Sequence, residues 1–155
     1  MSTKGIRISD LKENKCISLS ELLDNIPNAD QFNWVLLWFD VIPKKKEGRK
    51  LVEIQKKIQE SNKGLSFTFS ALTELSKKIF QEIEVLIIGC KNKENIHQYK
   101  DDQEMYETCD LVIEMIDGGF WEVFSKNINW IDWLAKKYKK VEYLSSNFQQ
   151  KIPRE

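Results

Sequence analysis

The chain is poor in the residues that carry covalent and coordination chemistry. Among 155 residues there is one histidine, His97, and there are three cysteines, Cys16, Cys90 and Cys109. A single imidazole leaves one possible anchor for a catalytic dyad and argues against a multi-histidine metal site. An odd cysteine count without C-x-x-C spacing argues against a disulfide framework and a zinc site, and reads as a cytosolic protein. Net charge is missing too. Lys plus Arg equals Asp plus Glu at 24 each, so the overall field gives no steering toward nucleic acid or an anionic membrane. No apolar run reaches the length of a membrane span, and the opening MSTKGIRISD has no signal core, so a cytoplasmic protein without a membrane role is expected. The glycine patterns of phosphate loops, dinucleotide sites and nucleophile elbows do not occur, and Gly118-Gly119 has no helix start to hold phosphate; no cofactor is expected. No repeat, low-complexity tract or Pro/Gly/Ser-rich linker divides the chain, which reads as one domain over 1–155 with a fraying tail at 146–155.

What is present is enough for a core. Hydrophobic residues make up 41%, and five Trp and eight Phe supply large aromatic area. The clearest local instruction is LVIEMIDGGFWEVF, residues 111–124: two apolar runs rich in β-branched and aromatic residues, hinged at Asp117-Gly118-Gly119. This is a β-hairpin. Asp-Gly and Gly-Gly both supply positive φ, so the register stays open, and with it the face on which Trp121 and Glu122 lie. Around it, Lys4 to Ile8 reads as a first strand. Ser18-Leu19-Ser20-Glu21 reads as a capping box before a short helix that stops at Pro27. FNWVLLWFDVI, residues 32–42, reads as a strand buried on both faces, with Trp34 and Trp38 sharing one face. A surface helix follows over Arg49 to Ser61, then a brief strand at Leu65, Phe67 and Phe69. The next helix is capped by Ser70 and carries Leu72, Leu75 and Ile79, and a second buried strand runs over Ile83 to Cys90. Residues 91–110 read as a polar loop with one helical turn near Met105 and Tyr106. A helix with the stripe Ile128, Ile131, Leu134, Ala135 and Tyr138 and a last strand at Val141 to Leu144 complete the pattern. The expected fold is α+β: a mixed, mainly antiparallel sheet with the 111–124 hairpin at its centre and helices packed against it.

Candidate chemistry is sparse. His97 lies in the most polar loop, and nothing in the sequence fixes it beside Cys90 or Cys109, whose positions at strand ends suit small buried hydrophobes. Lys44, Lys45, Lys46, Arg49 and Lys50 lack interleaved aromatics and read as a solvated group flanking a helix, without direct nucleic-acid contact. Asp101, Asp102, Glu104, Glu107 and Asp110 crowd one segment, with Asp117 at the hairpin tip. The ordered spacing of a calcium loop is absent, so no metal is expected. This run is either a solvated loop or an acidic patch that docks on a basic partner such as the cleft of a nuclease. Trp121 is either core or, in the other register, an outward aromatic that would anchor an interface.

Tyr106 to Glu114, with Asp117, Val123, Lys126 and Val141-Glu142-Tyr143-Leu144 further on, resembles the C-terminal half of an uncharacterised family of small bacterial cytoplasmic α+β proteins. Gly5-Ile6-Arg7-Ile8 and Asn33-Trp34 fit its start, while residues 44–80 depart from it. The overall type, lysine- and isoleucine-rich with an acidic loop, is also similar to immunity proteins of bacterial toxin–immunity pairs, including those of contact-dependent growth inhibition. That resemblance implies a non-enzymatic protein that neutralises a cognate toxin, a nuclease in this reading, by occluding it. Asp101, Asp102, Glu104, Glu107, Asp110, Asp117 and Trp121 are the expected partner-binding residues, and the oligomeric state stays open. The alternatives are a small enzyme using Cys109 or Cys90 with His97, and a regulatory binding module.

Overall fold

The computed structural model describes residues 3–144; the tail expected to fray lies outside them. Seven strands form one sheet in the order β5-β4-β6-β7-β8-β1-β9: β1 Lys4–Ile8, β4 Asn33–Pro43, β5 Leu65–Phe67, β6 Ile79–Cys90, β7 Leu111–Ile116, β8 Phe120–Ser125 and β9 Val141–Tyr143. Every pairing between neighbours is antiparallel. A separate two-stranded ribbon, β2 Leu11–Lys12 with β3 Lys15–Cys16, turns through Glu13 and Asn14, both at positive φ. The helices are α1 Leu19–Leu23, α2 Gly48–Gln59, α3 Phe69–Ser76, α4 Asp102–Thr108 and α5 Ile128–Lys137. This is the α+β domain expected, with the hairpin strands β7 and β8 in the middle of the sheet.

The hairpin register is settled at its turn. Asp117 and Gly118 both take positive φ, and the Gly119 N–H donates to the Ile116 carbonyl at 2.9 Å, so the tight turn sits on Asp-Gly. Met115 then faces Trp121 across the ladder, and Glu114 faces Glu122. Trp121 points to one face of the sheet and Glu122 to the other.

Each face carries its own core. On the first, α1, α2, α3 and α5 bury Leu19, Leu22, Leu51, Ile58, Leu72, Leu75, Ile131 and Leu134 against Ile6, Ile8, Leu36, Ile87, Ile113, Trp121 and Val123. On the second, α4 and the connection 91–110 bury Met105, Tyr106 and Cys109 against Val35, Leu86, Ile88, Cys90, Val112 and Phe124. A strand covered on both sides has no polar face, and that is why β6 and β7 read as nearly continuous apolar runs.

Local structure departs from expectation at a few places. The register of β4 against β6 shifts between Leu36 and Trp38. This bulge turns Leu37 and Trp38 onto the same side, so Trp38 packs on the second core while Trp34 stays in the first; the two do not share a face. α3 is capped by Thr68, whose hydroxyl accepts from the Ala71 N–H at 3.1 Å, and not by Ser70. Its last helical residue is Ser76, and Ile79, expected on the helix, opens β6 opposite Pro43. Phe69, expected in the strand, begins the helix. Two hydroxyls, on Thr68 and Ser70 with Phe69 between them, can both cap, and here the one that leaves Phe69 packed on the Trp34 ring, with centroids 5.7 Å apart, does so.

Candidate partner-binding surface

The acidic segment is ordered. Asp101, in extended conformation, accepts from the Glu104 N–H at 2.9 Å and so caps α4, while the Glu104 carboxylate reaches back to the Lys100 N–H at 3.3 Å. Acids in a first helical turn also face the positive end of the peptide dipoles. Met105 and Tyr106 anchor the helix inward, the Tyr106 ring stacking on Phe124 with centroids 3.9 Å apart and an interplanar angle of 17°. Asp101 and Glu107 are exposed and Asp102 and Glu104 half-buried, so the polar side of a docked helix carries Glu104 and Glu107, with Asp101 at its cap and Asp102 at the margin of the buried side. Glu107 is held by Gln103 Nε2 at 2.5 Å.

The rest of the expected set divides. Asp110 stays beside α4, accepting from the Lys91 N–H at 2.8 Å. Next to it a cavity of about 540 Å³ opens between Phe32, Lys91, Lys126, Ile128 and Trp130. Asp117 sits at the far end of β7, roughly 20 Å along the strand from Asp110, and belongs to no common patch with it. Trp121 must be corrected as a contact residue. It is fully buried in the first core, its indole N–H donating to the Ile17 carbonyl at 2.7 Å, because the turn on Asp-Gly points it inward.

The same segment places the histidine and the thiols of the alternative reading. His97 is exposed, its Nδ1 lies 3.0 Å from the Gln98 carbonyl and its ring packs on Tyr99. Tyr99 is the residue that meets a thiol, with Cys109 Sγ 3.3 Å from its hydroxyl. Cys90 and Cys109 are both buried, and the neighbouring Cys90 thiol together with burial pushes Cys109 well above the usual thiol range.

Sequence reading missed the carboxylates inside the sheet. Glu114 and Glu122 are buried directly opposite each other on β7 and β8. Arg7 on β1 donates through Nε and Nη2 to Glu122 Oε2, at 3.0 and 2.7 Å, and its guanidinium lies 4.3 Å from the Phe120 ring centroid. The Tyr106 hydroxyl donates to Glu114 Oε1 at 2.9 Å, tying α4 to the hairpin. Facing carboxylates repel, so each needs its own donor. The available signal was one Glu in the middle of each otherwise apolar limb, LVIEMI and FWEVF.

Among the described residues no three metal-ligating side chains converge, and no helix is long and apolar enough to cross a membrane. Comparison of the chain with known protein families, with curated proteins and with solved structures finds no match.

Proposed function

We propose that this chain is a cytoplasmic immunity protein that binds a cognate toxin, a nuclease with a basic substrate cleft, and neutralises it by occlusion. The observation that supports this reading is the polar side of α4: Glu104 and Glu107 face outward, with Asp101 at the cap and Asp102 half-buried at the margin, on a helix whose inner side is locked by Met105 and by Tyr106 on Phe124. An acidic surface fixed before the encounter loses little conformational freedom on binding, and its field accelerates association with a cationic cleft. The cavity beside Asp110 offers an adjacent recess for a side chain of the partner. A tight complex of this kind buries ~1,600 Å² in total. The reading ascribes no reactive centre to the chain.

The test is co-expression and co-purification with the product of the adjacent gene, scored for loss of that product's toxicity. Glu107→Lys is the informative variant, since Glu107 is exposed and is not the helix cap. Its association rate is expected to fall by roughly tenfold or more at low salt, with the difference shrinking as salt is raised. Unchanged protection and an unchanged rate at low salt would remove α4 from the interface.

A further inference from the structure

The second face of the sheet carries a band of acids beside the part on which α4 packs. The strand register puts Asp40 of β4, Glu84 of β6, Glu114 of β7, Glu122 of β8 and Glu142 of β9 on this one side, with Arg7 of β1 between Glu122 and Glu142. Among the described residues Arg7 is the only cation that the seven strands place there; Lys4, the other basic residue in them, turns to Asp132 of α5 on the opposite face. Arg7 is shared, with Nη2 2.7 Å from Glu122 Oε2 and Nη1 3.6 Å from Glu142 Oε2. Glu114 and Glu122 are 1% and 0% exposed, and carboxylates withdrawn from water are held best where positive charge lies close. Trp38, Ile116 and Phe120, all half-buried, adjoin them on the same side.

The chain leaves the sheet on this same face. Tyr143 of β9 pairs with Ile6 and gives its hydroxyl to Asp132 on the α5 side. The next residue, Leu144, donates its N–H to the Gly5 carbonyl at 2.9 Å and packs on the second core. Eleven residues follow, SSNFQQKIPRE, with cations at Lys151 and Arg154 and apolar side chains at Phe148 and Ile152. At ~4.8 Å between strands, Glu122, Glu114 and Glu84 stand roughly 10, 14 and 19 Å across the sheet from β9. An extended chain covers ~3.3 Å per residue, so a chain leaving Leu144 can reach roughly 23 Å by Lys151 and roughly 33 Å by Arg154. Both cations can reach the band with length to spare.

We propose that residues 145–155 fold back across the second face as a strap, with Lys151 and Arg154 over Glu84, Glu114 and Glu122, and with Phe148 and Ile152 against Trp38, Ile116 and Phe120. The charges are complementary, and the point of departure at Leu144 already lies on the right side of the sheet. The tether decides between this segment and any other basic peptide. A segment anchored a few residues away meets the face at an effective concentration in the mM range, so a contact too weak to hold a free peptide or a second copy holds this one. No described element has to move to admit it. The inference stands whether or not the immunity reading does.

The experiment is NMR on the full, isotope-labelled chain at low salt. Expected are backbone order parameters near the rigid value of about 0.85 through 147–153, with intramolecular NOEs from those residues to Trp38, Ile116 or Phe120. Lys151→Glu with Arg154→Glu alters no residue of either core, so the sheet should keep its spectrum. In that variant the order parameters of the segment should drop below about 0.6 and the NOEs to the face should vanish. Order parameters below about 0.6 over 147–153 in the parent would overturn the proposal. So would order that survives the double charge reversal. NOEs that a mixture of labelled and unlabelled copies shows to run between chains would overturn it as well, in favour of a second copy on this face.

Discussion

Glu82 shows how much a single side chain in this fold depends on its surroundings. It is nearly solvent-free on β6, and its carboxylate accepts from the Leu19 N–H at 3.0 Å, holding the start of α1 against the sheet. Burial pushes its pKa above the usual carboxylate range, and this outweighs the hydrogen bond from Leu19, which acts the other way. A raised folded pKa means the native state holds the proton longer than the unfolded chain. Stability from this group is therefore greatest below the unfolded carboxylate range and falls as pH rises through the folded value. Glu82→Gln keeps an acceptor for Leu19 and removes the titration. The variant should lose the part of the stability decline above the unfolded carboxylate range that belongs to this residue, and match or exceed the parent at neutral pH, as read by urea midpoints from acid to neutral pH. Nothing in QEIEVLIIG distinguishes Glu82 from Glu84. Their different settings come from the register shift between Asp40 and Val41 on the neighbouring strand, and a shift set by pairing leaves no trace in the local pattern. Trp121 was undecidable for a related reason: its face hangs on which of two turn-competent dipeptides bends.

At the scale of elements, what the periodicity encodes locally was legible. The hairpin, the Ser18 cap of α1 and the helical spacing of α2 and α5 follow from periodicity and capping chemistry, whereas the Glu21 carboxylate turns to Tyr138 instead of closing a capping box, Ile128 of the expected stripe is exposed, and α2 ends on Glu60 without using Gly64. The boundary between β5 and α3 did not follow, since Thr68 and Ser70 offer the same oxygen two residues apart and only the contact of Phe69 with Trp34 separates them. The acidic segment reads as a loop with one helical turn, and α4 is that turn extended to seven residues. What could not be foreseen is that it docks on the sheet, because the stack of Tyr106 on Phe124 joins residues that no local rule relates. The helix is short, so its cap matters. Asp101→Ala leaves the Glu104 N–H without its acceptor and should cost about 0.5–2 kcal/mol in chemical denaturation. Hydrogen exchange over 102–108 should quicken more than over β7. An equal increase across both would show that α4 and the sheet open together, and would remove the cap's special role.

The whole molecule is built around a sheet whose two exposed margins are both short, β5 and β9 having three residues each. The long strand β4, paired by β5 only from Trp34 to Leu36, carries three register shifts and ends in Pro43. Bulges and proline spoil a template for another chain's strand, so the open part of β4 is poorly suited to edge-to-edge association. Many of the sheet's contacts join distant parts of the sequence: Ile6 pairs with Val123 on one side and Tyr143 on the other. Closing such loops precedes any reward from pairing, and refolding from denaturant should accordingly take milliseconds to seconds, as followed by tryptophan fluorescence in stopped flow. Microsecond refolding would mean that the helices and the 111–124 hairpin carry the transition state without β1.

The placement of β1 between β8 and β9 also sets a clock during synthesis. Its two hydrogen-bonding neighbours are translated more than a hundred residues later, on the order of ten seconds at ordinary ribosomal speed. Until those neighbours have been made, the nascent chain carries Ile6 and Ile8 without the strands that flank them in the finished sheet, and anything that stalls the ribosome before residue 120 leaves both side chains open to a chaperone or to another chain.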